Sequence, residues 1–250
     1  MRRAPPVGHF EQLGTVVPKG LGARRVRAYL PAATDATPRP LIVMFDGQNI
    51  FDDAGSFVGG WHAHRAVDRL ARERAPIVVG IDHGGAHRIA ELSPFSDGSR
   101  GGHLEGFLAA VIDQLLPRLR ARFAIRDLPF IGGSSLGGLA SLYAHLQHPD
   151  LFGGALAMSP SLWFARARVA AWLHAQPAPP RSRIYLDIGT PEGAFRMQPL
   201  VVRLGRELRQ RGWRETGNRR LLVHVDPRGR HRESSWRRRL PAALRFLVAP

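Results

Sequence analysis

Phe130-Ile131-Gly132-Gly133-Ser134-Ser135-Leu136-Gly137-Gly138 is the stretch that decides the fold. A short apolar strand, Leu128 to Gly132, runs into glycines and serines. A helical face of Leu139, Leu142, Tyr143 and Leu146 follows. Gly133 and Gly137 stand two residues either side of Ser135, a G-x-S-x-G spacing. That spacing alone arises about 0.14 times by chance in a chain of this length and composition, so it is weak by itself. The context strengthens it. A sharp turn that lifts a serine hydroxyl above a sheet needs a strand before it, a helix after it and small residues where the backbone doubles back. The helix also points its positive end at the hydroxyl. Ser134 is a second hydroxyl in the turn, but only Ser135 has glycine at both −2 and +2.

Outward from this turn, strand and helix patterns alternate. Arg25 to Leu30 is strand-like, and Leu41 to Phe45 is a continuous apolar run that ends at Asp46-Gly47. Pro76 to Ile81, Gly153 to Met158, Ile184 to Ile188 and Leu221 to Val225 also read as strands, several of them apolar enough for burial on both faces. Helical spacing marks Trp61 to Arg72, His103 to Phe123, Leu162 to His174, Phe195 to Arg211 and a last helix starting at His231. Its stripe is Trp236, Leu240, Leu244 and Leu247. Alternation of this kind predicts a mostly parallel sheet of about eight strands with helices on both faces. Pro31 to Pro40 and Gln176 to Arg181 are short enough to be connectors. One domain over residues 1–250, with no large lid, is the expectation.

Composition narrows the partners. The 250 residues include no cysteine, which excludes disulfides and thiolate chemistry. No apolar run approaches the length of a membrane span. The basic start at Met1-Arg2-Arg3 lacks the apolar stretch of a signal peptide, so a cytoplasmic location is expected. The net charge is +16, and 35 of the 36 basic residues are arginine. They are spread along the chain, with one dense cluster at Arg228 to Arg232 and Arg237 to Arg239. No nucleic-acid motif accompanies them, so no specific nucleic-acid partner is expected. The charge favours anionic small molecules. Oligomeric state is not readable.

A serine hydroxyl needs a base, and the base needs a carboxylate. After a strand–turn–helix serine, the chain order is serine, acid, histidine. His231 follows the last strand after a loop, whereas His224 lies inside that strand, facing packing or a helix. Glu192, in the loop Gly189 to Gly193, is favoured as the acid over Asp187, which lies inside its strand and suits a hydrogen bond to neighbouring backbone. An oxyanion needs two backbone donors. The amide of Leu136 is one, and Gln48, in the loop after Leu41 to Phe45, supplies the other. His62 and His64 sit at i, i+2 on a helix and point apart, so they make no metal pair. His83 and His87 flank a loop near the site.

The chain resembles the esterase D-like (enterochelin esterase-like) family of α/β hydrolases from about Val26 to Val248. Five stretches carry the resemblance in order: Met44 to Asp52, Val79 to Asp82, Gly132 to Gly138, Asp187 to Gly193 and His231 to Trp236. It implies Ser135 as nucleophile and His231 as base, and it supports Glu192. Ser159-Pro160-Ser161-Leu162-Trp163 also looks like the family and implies that Trp163, together with Asp46, lines the substrate pocket. One departure is Glu91-Leu92-Ser93-Pro94, where members often read Glu-Tyr-x-Pro. The expected function is hydrolysis of a small-molecule carboxylic ester, with no cofactor and no metal. An acyltransferase of the same fold, or a non-catalytic protein binding an anionic partner, remains open.

Overall fold

In the computed structural model, which describes residues 7–32, 37–56, 58–193 and 197–250, the long strands are β1 (His9–Val16), β2 (Arg24–Leu30), β3 (Leu41–Phe45), β4 (Ile77–Ile81), β5 (Phe130–Ser134), β6 (Gly154–Met158), β7 (Ser182–Gly189) and β8 (Arg219–Asp226). They form one sheet in the order β1-β2-β4-β3-β5-β6-β7-β8. β1 pairs antiparallel with β2, and β2 antiparallel with β4. Every other neighbour pair is parallel.

The central strands are buried at every position in β3, β4 and β6. Their two-residue period divides them between two cores. Leu41, Val43 and Phe45 face one core, while Ile42 and Met44 face the other. After the short helices α1 (Gly47–Ile50), α2 (Ala63–Val67) and α3 (Arg88–Leu92), the first core is closed by α4 (Leu104–Ala110), α5 (Leu116–Arg122), α6 (Leu136–Gln147), α7 (Arg166–Ala175) and α8 (Met197–Gln210). The second is closed by α9 (Glu233–Leu247), whose Trp236, Leu240, Leu244 and Leu247 form the expected stripe. Two faces covered by helices are what an all-apolar parallel strand requires.

The chain makes β3, passes outward to β4, then returns to β5 on the other side of β3. Val43 pairs with Ile131 and Met44 with Gly132. The loops after β3 and β5 therefore leave the sheet side by side at its carboxyl edge, at the reversal of strand order where open α/β sheets bind ligands.

Several boundaries differ from the expectation. β1 was not expected; it is an edge strand, largely exposed and bulged between Gln12 and Thr15, so it carries no apolar alternation. The expected helix Trp61 to Arg72 is only Ala63–Val67, followed by a 3₁₀ turn at Arg72–Arg74. Asp68 caps this short helix with its N–H on His64 O, and its carboxylate accepts a hydrogen bond from the Tyr29 hydroxyl at 2.6 Å. Between α4 and α5 the helix widens into a π turn at Val111–Leu115, which accommodates Pro117 without a clash on the preceding turn. α7 starts at Arg166 rather than Leu162, because Ala165 takes a left-handed conformation, with φ 43°. The last helix starts at Glu233, so His231 lies in the loop before it. His224 is exposed rather than packed, because β8 is an edge strand. The beginning of the expected helix at Phe195, the basic start Met1-Arg2-Arg3 and part of the Pro31 to Pro40 loop lie outside the described residues.

Candidate active site

Ser135 sits between β5 and α6 with φ 57° and ψ −121°, a region that residues other than glycine rarely occupy. Three backbone hydrogen bonds hold it there. Its N–H donates to Met158 O at 2.9 Å, and its carbonyl accepts from Leu139 N at 3.1 Å and Ser161 N at 3.0 Å. The two flanking glycines are confined by different neighbours, Gly133 by the Gly137 backbone and Gly137 by Asp46 and Phe45. A Cβ on Gly133 would lie 2.8 Å from the Gly137 carbonyl carbon, so the turn closes only with glycine there. Ser134 ends β5 and is buried.

The Ser135 hydroxyl meets two chain segments, and a third backs one of them. His231 Nε2 lies 3.0 Å from Ser135 Oγ, and His231 Nδ1 lies 2.7 Å from Glu192 Oε2. With Nδ1–H donating to the carboxylate, Nε2 is left as the acceptor for the serine proton. Ser161 Oγ stands 3.1 Å from the same Ser135 oxygen. The imidazole also packs edge-on against Trp236, with ring centroids 5.0 Å apart. The carboxylate is wholly buried while the imidazole side chain is 35% exposed, so the relay runs from a dry interior to an open mouth.

Burial pushes the Glu192 carboxyl up, but its neighbours more than offset this. The His231 hydrogen bond and charge, the Ser159 hydroxyl and the Gly189 N–H together hold it below the ordinary glutamate value. Ser159 Oγ and Gly189 N both reach Glu192 Oε1, each at 2.9 Å. Asp187 has a different environment. Its Oδ1 accepts the Ser159 N–H at 3.0 Å, and its Oδ2 pairs with Arg239 Nε at 2.9 Å. Its hydrogen-bond and ion partners are Ser159 and Arg239 rather than His231. Burial drives its carboxyl up to about 7.

Gln48 is the second residue of a one-turn helix, α1 in position after β3 (Gly47–Ile50), and Leu136 is the first residue of α6. Neither amide has an acceptor within its own helix. The Gln48 side chain is tied down, its Oε1 accepting the His83 N–H at 3.2 Å. Burial depresses the His83 imidazole, whose Nδ1 accepts the Gly85 N–H at 2.9 Å. Asp46 is buried under the turn, gripped by Arg88 through two bonds of 2.7 and 2.8 Å. Trp163 is half-buried at the edge of the first core, edge-on to Phe164.

Residues that the sequence reading passed over complete the surroundings. Arg239 belongs to the dense arginine cluster near the end of the chain, yet it is 3% exposed and points into the site from α9. A helical stripe that places Trp236 and Leu240 inward also turns Arg239 inward, which was the available signal. Glu91 is fully buried. Its Oε2 accepts Arg24 Nε and Nη2 at 2.9 and 2.7 Å, and its Oε1 accepts the Gly84 N–H at 2.7 Å, which fixes the loop that carries His83. His62 and His64 do not point apart as expected, because His62 precedes the helix with φ 52° and the two rings sit edge-on with centroids 5.9 Å apart. A cleft of about 840 Å³ lined by Phe130, Ser182, Arg183 and Arg220 lies at the opposite, amino edge of the sheet and contains none of the relay residues.

The strand order, the strained serine turn and the converging histidine and carboxylate define an α/β-hydrolase fold with its site at the carboxyl edge of the sheet. The chain belongs to the family described as "Putative esterase", whose model matches residues 22–247. It is 30% identical over 193 residues to an iron(III) salmochelin esterase of Escherichia coli, covering 69% of this chain and 44% of that protein. It is 32% identical over 146 residues to an iron(III) enterobactin esterase of the same species, covering 57% of this chain and 33% of the relative. The chain thus spans less than half the length of these curated relatives. A solved siderophore hydrolase, EstA of Aspergillus nidulans, shares the fold with a TM-score of 0.78 at 18% identity, over 96% of this chain and 94% of that one. Among the described residues, no helix is long and apolar enough to cross a membrane.

Proposed function

We propose that this protein hydrolyses small-molecule carboxylic esters through an acyl-enzyme on Ser135. One observation carries the reading: Ser135 Oγ, His231 and Glu192 stand in hydrogen-bond sequence, at 3.0 and 2.7 Å, at the carboxyl edge of the sheet. His231 Nε2 takes the Ser135 proton as the oxygen attacks the ester carbonyl. Glu192 holds the ring in the required tautomer and stabilises the imidazolium that forms. The carbonyl oxygen becomes an oxyanion, and the amides of Leu136 and Gln48, free of intrahelical acceptors, are the donors for it. The imidazolium then protonates the departing alcohol. Water, deprotonated by His231, releases the acid and restores the serine.

Relatives named iron(III) salmochelin esterase and iron(III) enterobactin esterase, with a structural neighbour named siderophore hydrolase, make a siderophore ester the first natural substrate class to test. The net charge of +16 supports an anionic one, since a basic surface attracts such ligands. Trp163, partly exposed, is read as lining the substrate pocket, whereas Asp46 is buried against Arg88 and supports the serine turn from beneath instead of lining the pocket. The test is hydrolysis of p-nitrophenyl acetate, butyrate and octanoate, with a siderophore ester alongside, by wild type and Ser135→Ala. The expected result is a loss of about a thousandfold or more in the variant. Equal rates would overturn Ser135 as nucleophile. Faster transfer to an added alcohol than to water would make the protein an acyltransferase. Absence of both activities and of fluorophosphonate labelling at Ser135 would favour a binding protein.

A further inference from the structure

Ser159 leaves β6 with φ 43° and is fully buried, yet it takes no part in the reaction described above. Its hydroxyl has three neighbours. Trp236 Nε1 lies at 3.0 Å, Arg239 Nη2 at 2.8 Å and Glu192 Oε1 at 2.9 Å. A hydroxyl has one proton and two acceptor sites, whereas an indole N–H and a guanidinium can only donate. The two obligate donors occupy both acceptor sites of Ser159 Oγ. Its single proton is therefore left for Glu192 Oε1. Gly189 N–H donates to that same oxygen at 2.9 Å, so Oε2 remains for His231.

Arg239 is in turn held from its other side. Asp187 Oδ2 lies 2.9 Å from its Nε, and Asp226 Oδ2 lies 3.8 Å from its Nη1. Asp226 is itself gripped by Arg238 at 2.6 Å. Arg239 Nη1 also lies 3.6 Å from Glu192 Oε1, so the guanidinium meets that carboxylate as a charge directly, while its hydrogen bond, from Nη2, goes to Ser159. We propose that Ser159 is a positioning residue for the acid of the relay, its proton aimed at Glu192 by Arg239 and Trp236, and that the strand carboxylate Asp187 serves to anchor Arg239. This rests on the reading of Glu192 as the relay acid.

The test measures kcat and KM on p-nitrophenyl butyrate for Ser159→Ala, alone and combined with Glu192→Gln. A lost hydrogen bond to a charged group lowers kcat about tenfold or more, with KM changed by less than about twofold. In the Glu192→Gln background the same substitution removes nothing further, because it acts through that carboxylate. Trp236→Phe keeps a ring beside His231 but removes one of the two donors, and gives a smaller loss in kcat in the same direction. It also covers the case in which Ser159→Ala does not fold. An unchanged kcat in Ser159→Ala, or the same loss in both backgrounds, would overturn the proposal. Wild-type kcat in Glu192→Gln alone would instead remove the reading beneath it, and is told apart by needing no change at Ser159.

Discussion

Replacing Ser135 by glycine should make this protein more stable than replacing it by alanine, although both lack the nucleophile. Ser135 is held at φ 57° and ψ −121°, where a Cβ is crowded by its own backbone. Such a conformation costs about 1–3 kcal/mol. Alanine keeps the Cβ and the strain; glycine removes both. Against this, glycine gives the unfolded chain more freedom, which costs about 0.4–1 kcal/mol. Both variants lose the same contacts to His231 and Ser161, so those terms cancel in the comparison. The net is about 1 kcal/mol in favour of glycine, or roughly 2–4 °C in melting temperature for a domain of this size. Calorimetry and urea unfolding of the two purified variants would measure it. The reasoning fails if Ser135→Gly melts at or below Ser135→Ala, since the strain would then be absent or smaller than the entropy of the unfolded chain.

Glu192→Gln should lower kcat by about 10³–10⁴ with little change in KM, as an amide can present its NH₂ to His231 Nδ1 and select the wrong tautomer; steady-state kinetics decide it, and a kcat within tenfold of wild type counts against the relay. Asp187 has a folded value raised to about 7 by burial, so its contribution to stability is full below the unfolded value near 4 and is lost as pH rises through 7. Urea midpoints should therefore fall from pH 5 to pH 8 more steeply in wild type than in Asp187→Asn, and parallel slopes would contradict this. Glu192 behaves oppositely: its lowered carboxyl contributes stability above the unfolded value near 4.5, and this fades as pH falls through the folded value. The stability gap between wild type and Glu192→Gln should accordingly narrow on acidification. Glu91→Ala leaves the buried Arg24 guanidinium without its carboxylate and should cost about 3–5 kcal/mol, read from the urea midpoint.

Local pattern was enough for much of this protein. The all-apolar runs Leu41–Phe45 and Gly154–Met158 could be stable only with both faces covered, which implied parallel strands between helices. Glycines flanking Ser135 marked the turn, because spacing and context are properties of neighbouring residues. Boundaries were harder where one torsion or one distant partner decided them. Ala165 delays the start of a helix by its positive φ, and Asp68, at the end of another, ties its side chain to Tyr29, thirty-nine positions earlier. An edge strand such as β1, exposed and bulged, has no periodic signal to read.

The chain alone determined the fold class, the serine turn and a short set of carboxylate and histidine candidates, since each depends on residue type and local periodicity. Tertiary structure decided how those candidates meet. Glu192 Oε2 stands 2.7 Å from His231, whereas Asp187, equally buried and five residues away, turns to Arg239. Along a strand and its following loop, a change of a few residues reverses the direction of a side chain. Which carboxylate faces the imidazole therefore depends on where β7, β8 and α9 come together. The same convergence draws Arg239 into the interior: the helical stripe turns it inward, and packing supplies the carboxylates that it meets there.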